Sequence, residues 1–261
     1  MTQSLDELLD TAREHLAGWR FEAARQALRS AYTATRTDST PGAEATAAQI
    51  AVLYGEVLRD TNQLTTAINI LEPLAADLHT RRGPDDPLTV QAYAVLGAVY
   101  HDLGHLDHAQ RCYQQVLTSR ASPHSPAGRA IRRTAANLAF LHHDQGDHEQ
   151  ALRELTAAHA AIYAYQGAAN VDTLHIAAEL AALLHAHGHT DQAQQLLHRS
   201  LHHAQAGLAG DHPLIALLGT DLRHLTTPAS RHRRHTPPPA APAAQQHRSP
   251  WQPANLNRTG A

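Results

Sequence analysis

Histidine has the most chemistry to offer in this chain, with 22 imidazoles among 261 residues. His185, His187 and His189 stand as His-x-His-x-His at the expected end of a helix. His198 and His202 are four apart, a spacing that turns two imidazoles toward one metal ion on one helical face. No cysteine or carboxylate completes either set, and packed helices lie about 8–10 Å apart. The expectation is therefore adventitious surface binding of Zn²⁺ or Ni²⁺, with no dedicated metal site and no cofactor, and with helix content unchanged when metal is removed. Cys112 is the single cysteine; it is expected to be a small buried hydrophobe, with nothing nearby to lower its pKa. A Gly-rich phosphate loop, a Cys/His nucleophile arrangement and a strand-turn-helix elbow are all missing. The chain is expected not to be an enzyme.

A second set of polar groups is periodic. His15, Arg59, His101, His143 and His185 each stand three residues before a turn, and Asp60, Asp102 and Asp144 stand two before it. Gln49, Gln91, Arg133 and His175 form a further row on the same segments. Such a ladder of donors beside acceptors suits hydrogen bonding to an extended peptide, and its histidines would make affinity depend on pH. A blander account also exists: cationic groups in a last helical turn favour the negative end of the helix dipole. That account does not require the flanking Asp residues.

The elements behind these rows repeat. Five turns share a turn residue followed by four residues and Ala: Gly18 to Ala23, Asn62 to Ala67, Gly104 to Ala109, Gly146 to Ala151 and Gly188 to Ala193. Their spacings are 44, 42, 42 and 42. Gly and Asn are the residues that most readily take the left-handed conformation ending a helix. Before the last four turns, Tyr54, Gly55 and Leu58 match Leu96, Gly97 and Tyr100, then Leu138, Ala139 and His142, then Leu180, Ala181 and Leu184, an apolar stripe with a small residue inside it. After the turns, Ala67 and Leu71, Ala109 and Tyr113, Ala151 and Leu155, and Ala193 and Leu197 repeat an i, i+4 stripe. Each unit reads as a helical hairpin, its helices drawn close by small residues facing small residues. A lone hairpin cannot bury its apolar face, so neighbours must stack. The expected fold is all-α: a right-handed solenoid of about five hairpins over residues 3–226, closed by a capping helix from Pro213 to Thr226.

The run Leu96-Gly97-x-x-Tyr100, with Gly104, Ala109 and Tyr113, resembles the tetratricopeptide repeat. The 42-residue period is similar to that of kinesin light chain repeats, as are the segments Gly83-Pro-Asp-Asp-Pro87 and Gly210-Asp-His-Pro213, in each of which an Asp offers an N-cap ahead of a Pro. The first repeat departs, with Asp10 and Thr11 where Leu and Gly would stand. The resemblance implies a concave face on the first helix of each hairpin where ligands lie. It implies a peptide-binding groove of Gln49, Glu56, Arg59, Asp60, Gln91, His101, Asp102, Arg133, Asn137, Phe140, His143, Asp144, His175 and His185, with Arg and His as donors, Asp as acceptors and Phe140 as the apolar contact.

Composition bounds the partner. Net charge is −3, and all 21 basic side chains are Arg. The segment 227–261 holds five Arg and no acid, a charge of +5, which leaves the body with 16 Arg against 24 acids, or −8. An acidic body argues against nucleic acid, which needs a basic face. No run approaches the roughly 18 apolar residues of a membrane span, and no basic segment precedes an apolar one at the N-terminus, so a cytoplasmic location is expected. With seven Pro among its 35 residues, the segment 227–261 is expected to be disordered. The leading expectation is a protein- or peptide-binding scaffold, an accessory in bacterial signalling or transcription regulation. Its competitor is a regulatory module sensing a small ligand or metal through its histidine-rich helices.

Overall fold

The computed structural model describes residues 4–35, 43–122 and 125–226; the segment 227–261, expected to be disordered, lies outside the described residues. These residues form eleven helices and no strand: α1 (Leu5–Ala17), α2 (Phe21–Thr35), α3 (Ala43–Asp60), α4 (Leu64–Arg82), α5 (Pro87–Asp102), α6 (Leu106–Leu117), α7 (Pro126–Asp144), α8 (His148–Gln166), α9 (Val171–Ala186), α10 (Thr190–Gly207) and α11 (Pro213–Thr226). Five hairpins and a closing helix result, as the period predicts. The chain separates into two compact units with the boundary inside α7, one reaching Ile131 and the other beginning at Arg132.

Each first helix ends in the same way. In four of the five, the left-handed residue is the turn residue of the pattern: Asn62 (φ 59), Gly104 (φ 75), Gly146 (φ 94) and Gly188 (φ 85). Around Gly104, the Gly104 amide donates to the His101 carbonyl at 2.8 Å and the His105 amide to the Tyr100 carbonyl at 2.9 Å. This paired closure satisfies carbonyls that would otherwise be orphaned at the helix end. The first turn differs from expectation. Gly18 has φ −88 and lies in ordinary space, while Trp19 takes the left-handed position at φ 56. The Arg20 amide reaches the His15 carbonyl at 2.8 Å, so the repeat here is 43 residues and its register is one residue later than the glycine suggests. Ala24, not Ala23, is then the equivalent of Ala67, and it is fully buried.

Helix starts follow local chemistry. The Ser4 side chain accepts from the Glu7 amide and the Glu7 carboxylate accepts from the Ser4 amide, a reciprocal cap. Asp86 accepts from the Leu88 and Thr89 amides ahead of α5, with Pro87 in the first turn. Before α11 the expected Asp cap is replaced: the ring Nδ1 of His212 accepts from the Leu214 amide at 3.2 Å.

Within a hairpin the apolar stripes meet, but the pairing is small against large. A Cβ added at Gly55 would lie 2.7 Å from the Leu71 side chain, and one at Gly97 would lie 2.6 Å from Cε1 of Tyr113 and 3.0 Å from Cβ of Cys112. Leu71 and Tyr113 are both fully buried, each seated in the hollow left by a glycine sixteen residues earlier. In the second unit Ala151, Leu155, Ala158 and Ile162 of α8 pack with Ala136 and Ala139 of α7 and Leu180 of α9. Leu214, Leu218 and Leu225 of α11 cover Ala193, Leu197 and Ala204 of α10.

Alanine ordinarily improves on glycine in a helix interior by about 1 kcal/mol. At Gly97 the seat for Tyr113 reverses that sign, and Gly97→Ala should cost about 1–3 kcal/mol through overpacking. A denaturant midpoint equal to or above that of the wild type would refute the close approach.

Candidate functional site

The first-helix rows are built by the turns just described. In the first unit, Arg59 stands on the last turn of α3 and Asp102 on the last turn of α5. Arg59 Nε donates to Asp102 Oδ2 at 2.6 Å and Nη2 to Oδ1 at 3.3 Å, a two-pronged pair. The side chains are only 12% and 10% exposed. Burial opposes the Arg59 charge, but Asp102 against it and Asp60 nearby raise its pKa above the ordinary guanidinium value. These two members of the expected groove therefore engage each other, and they tie successive repeats together. Asp60 is buried at 6% exposure. Gln49 is exposed, and Glu56, Gln91 and His101 are half-buried; His101 also meets the Tyr113 ring edge-on, with centroids 6.3 Å apart.

In the second unit Arg133, Asn137, Phe140, His143 and His185 are half-buried and Asp144 is exposed. Phe140 leans on the α7–α8–α9 core, so its ring is partly committed to packing. His175 differs from the rest of its row. It is 2% exposed, and burial, reinforced by Arg133, pushes its pKa down to about 4. A neutral interior imidazole is thus what this position holds.

The turns also create contacts that sequence reading missed. At the α9–α10 turn, Nδ1 of His185 and the Thr190 hydroxyl lie 3.0 Å apart. One repeat earlier the same two positions are His143 and His148, with their Nδ1 atoms 2.9 Å apart. The closed turn therefore brings together the residue three before it and the residue two after it. His187 lies against His148, with ring centroids 4.5 Å apart and planes tilted by 37°. Its pKa is lowered by burial and by the neighbouring His148 and His189. The His15 of the expected ladder is displaced by the register of the first turn: Leu16 is the true equivalent of Arg59, since the Trp19 amide bonds to its carbonyl. Cys112 is buried as expected, and burial raises its thiol to about 11.

With this geometry in hand, residues 46–122 match the tetratricopeptide repeat family. Over α3 to α6 the hairpins thus match tetratricopeptide repeats. The fold is similar to that of the Rap conjugation gene regulator of the plasmid pLS20, solved in complex with the Phr* peptide, at 16% identity and a TM-score of 0.70 over 86% of this chain and 59% of that one. It is similar to kinesin light chain-like repeats of Podosopora anserina, at 17% identity and a TM-score of 0.56 over 71% of this chain and 87% of that one. It is also similar to BtubC from P. vanneervenii, at 16% identity and a TM-score of 0.53 over 93% of this chain and 98% of that one. The chain thus spans 59% of the length of the Rap regulator. No curated protein matches it in sequence. Among the described residues, no helix is long and apolar enough to cross a membrane.

Removing one partner of a buried ion pair strands the other, so Arg59→Ala should cost about 3 kcal/mol, while Arg59→Met with Asp102→Leu recovers most of it. A double variant as unstable as the single would show that the pair does not act as a unit. His175 sets a pH dependence: the unfolded chain binds a proton near pH 6.5 that the folded chain refuses until about pH 4. Stability is full above the unfolded value and should fall by about 3 kcal/mol as pH drops through that window. Denaturation midpoints measured across it should fall less steeply for His175→Leu. An identical slope in that variant would assign the effect elsewhere.

Proposed function

We propose that this tetratricopeptide-repeat chain is a non-catalytic scaffold that binds an extended protein or peptide segment along its first helices. It would work in the cytoplasm as an accessory in bacterial signalling or transcription regulation. The observation that carries this reading is the likeness of its repeats to a Rap regulator solved with a peptide. A second Rap protein with the same fold was solved with the Competence and Sporulation Factor, at 14% identity and a TM-score of 0.62.

The residues divide between support and contact. Arg59 and Asp102 tie α3 to α5, and Asp60 and His175 are buried. The ligand contacts are assigned to Gln49, Glu56, Gln91 and His101 in the first unit and to Arg133, Asn137, Phe140, His143, Asp144 and His185 in the second. Amide side chains suit the task because each offers a donor and an acceptor to a peptide backbone. The small side chains of the same faces, Ala94 and Ala182, leave room for the guest.

Peptides selected from a displayed random library on the full chain supply the probe. Their affinity, read by fluorescence anisotropy, should weaken about fivefold or more in Gln91→Ala and in Asn137→Ala. It should be unmoved by Arg153→Ala on the exposed side of α8. Peptides sensitive to Arg153→Ala but indifferent to both amide variants would place recognition on the second helices and overturn the proposal.

A further inference from the structure

Three imidazoles from separate stretches of sequence converge in the second unit. His143 is on the last turn of α7, His148 opens α8, and His187 follows the end of α9. One ring nitrogen from each lies within 4.8 Å of the others. Among the described residues this is the only group of three metal-ligating side chains so placed. The ring centroids are 4.7 Å apart for His143 and His148, 4.5 Å for His148 and His187, and 5.4 Å for His143 and His187.

We propose that His143, His148 and His187 form a three-histidine site for a divalent transition-metal ion of the zinc type. Two repeats build it. The closed α7–α8 turn holds His143 beside His148, just as the next turn holds His185 beside Thr190. His187 is supplied by the end of the following first helix.

The chemistry fits the placement. Imidazole nitrogens about 2.0–2.1 Å from a tetrahedral zinc lie about 3.3 Å from one another. The His143 and His148 Nδ1 atoms at 2.9 Å need to part only slightly, and no separation in the set must close by more than about 1.5 Å. Bonding through both Nδ1 atoms requires the proton they share to move to an Nε2. Nε2 of His187 is buried and, among the described residues, meets no hydrogen-bond partner. His148 is exposed, and three ligands leave the fourth position of a tetrahedral ion for water or a ligand atom. This is the ligand count of an accessible zinc site rather than of a sealed structural one.

His143 belongs both to this site and to the proposed peptide face, so the test varies the other two ligands. Full-length chain without an affinity tag is titrated with Zn²⁺ by calorimetry and with Co²⁺ by visible absorption. One equivalent should bind more tightly than any other, with the intense Co²⁺ bands of a four-coordinate centre. His148→Ala and His187→Ala should each weaken that equivalent at least about tenfold. The paired variants His198→Ala/His202→Ala and His105→Ala/His108→Ala should leave it unchanged. Zn²⁺ should also raise the melting temperature of the wild type and not that of His148→Ala. Circular dichroism confirms folding, and His148→Gln serves at the exposed position if His187→Ala is unfolded. Several equal, weak equivalents that the control variants reduce as much as the trio variants would overturn the site, as would undiminished affinity in His148→Ala or His148→Gln.

Discussion

A left-handed residue after every first helix is the constraint on which the rest of this protein depends. It reverses the chain in a fixed geometry, with paired amides closing on the carbonyls of the last turn at distances near 3 Å. Only Gly, Asn and one Trp stand there. Because the closure is the same each time, the side chains flanking it meet in the same way each time, and what differs is their chemistry. A histidine and a threonine hydrogen-bond at one turn, and two histidines do so at the turn before it. The backbone thus provides a repeated juxtaposition, and the sequence decides whether it is inert or able to hold a ligand.

Packing across the hairpin obeys a complementary rule. Gly55 and Gly97 are placed where a large side chain of the second helix must sit, and Leu71 and Tyr113 occupy those hollows. Later repeats use Ala139 and Ala181 at the same position, with leucines opposite. A missing side chain on one helix allows a larger one on its neighbour, which keeps the interior filled at the density folded proteins require. The ion pair of Arg59 with Asp102 acts along the other direction, from one first helix to the next, and it is nearly closed to water.

Much of this was legible in the sequence because the relevant signals recur every 42 residues. The hairpins, the turn residues Asn62, Gly104, Gly146 and Gly188, the Asp86–Pro87 helix start and the capping helix all follow from periodicity and local propensity. The first turn misleads because Gly18 is adjacent to the residue that carries the left-handed conformation, and composition alone favours the glycine over Trp19. Site residues were harder to read. Arg59 and Asp102 look like parallel offerings to a ligand until their separation, one residue more than a period, is seen to place them against each other. His175 shares a row with Gln49 and Gln91, yet α9 is buried over most of its length, and its imidazole goes inside. The histidine trio combines one separation of five residues with another of 44, so no single-helix spacing reveals it. In the more conspicuous His-x-His-x-His run, His185 pairs with Thr190 while His187 lies against His148.

The lone thiol gives this architecture a built-in clock. With Cys112 beneath the α5–α6 contact and its pKa near 11, on the order of one molecule in ten thousand carries a thiolate at neutral pH. Because the side chain is also buried, alkylation is slow until the third hairpin parts. Its rate measures how often that single repeat opens while its neighbours stay folded, a local breathing frequency that bulk unfolding averages away.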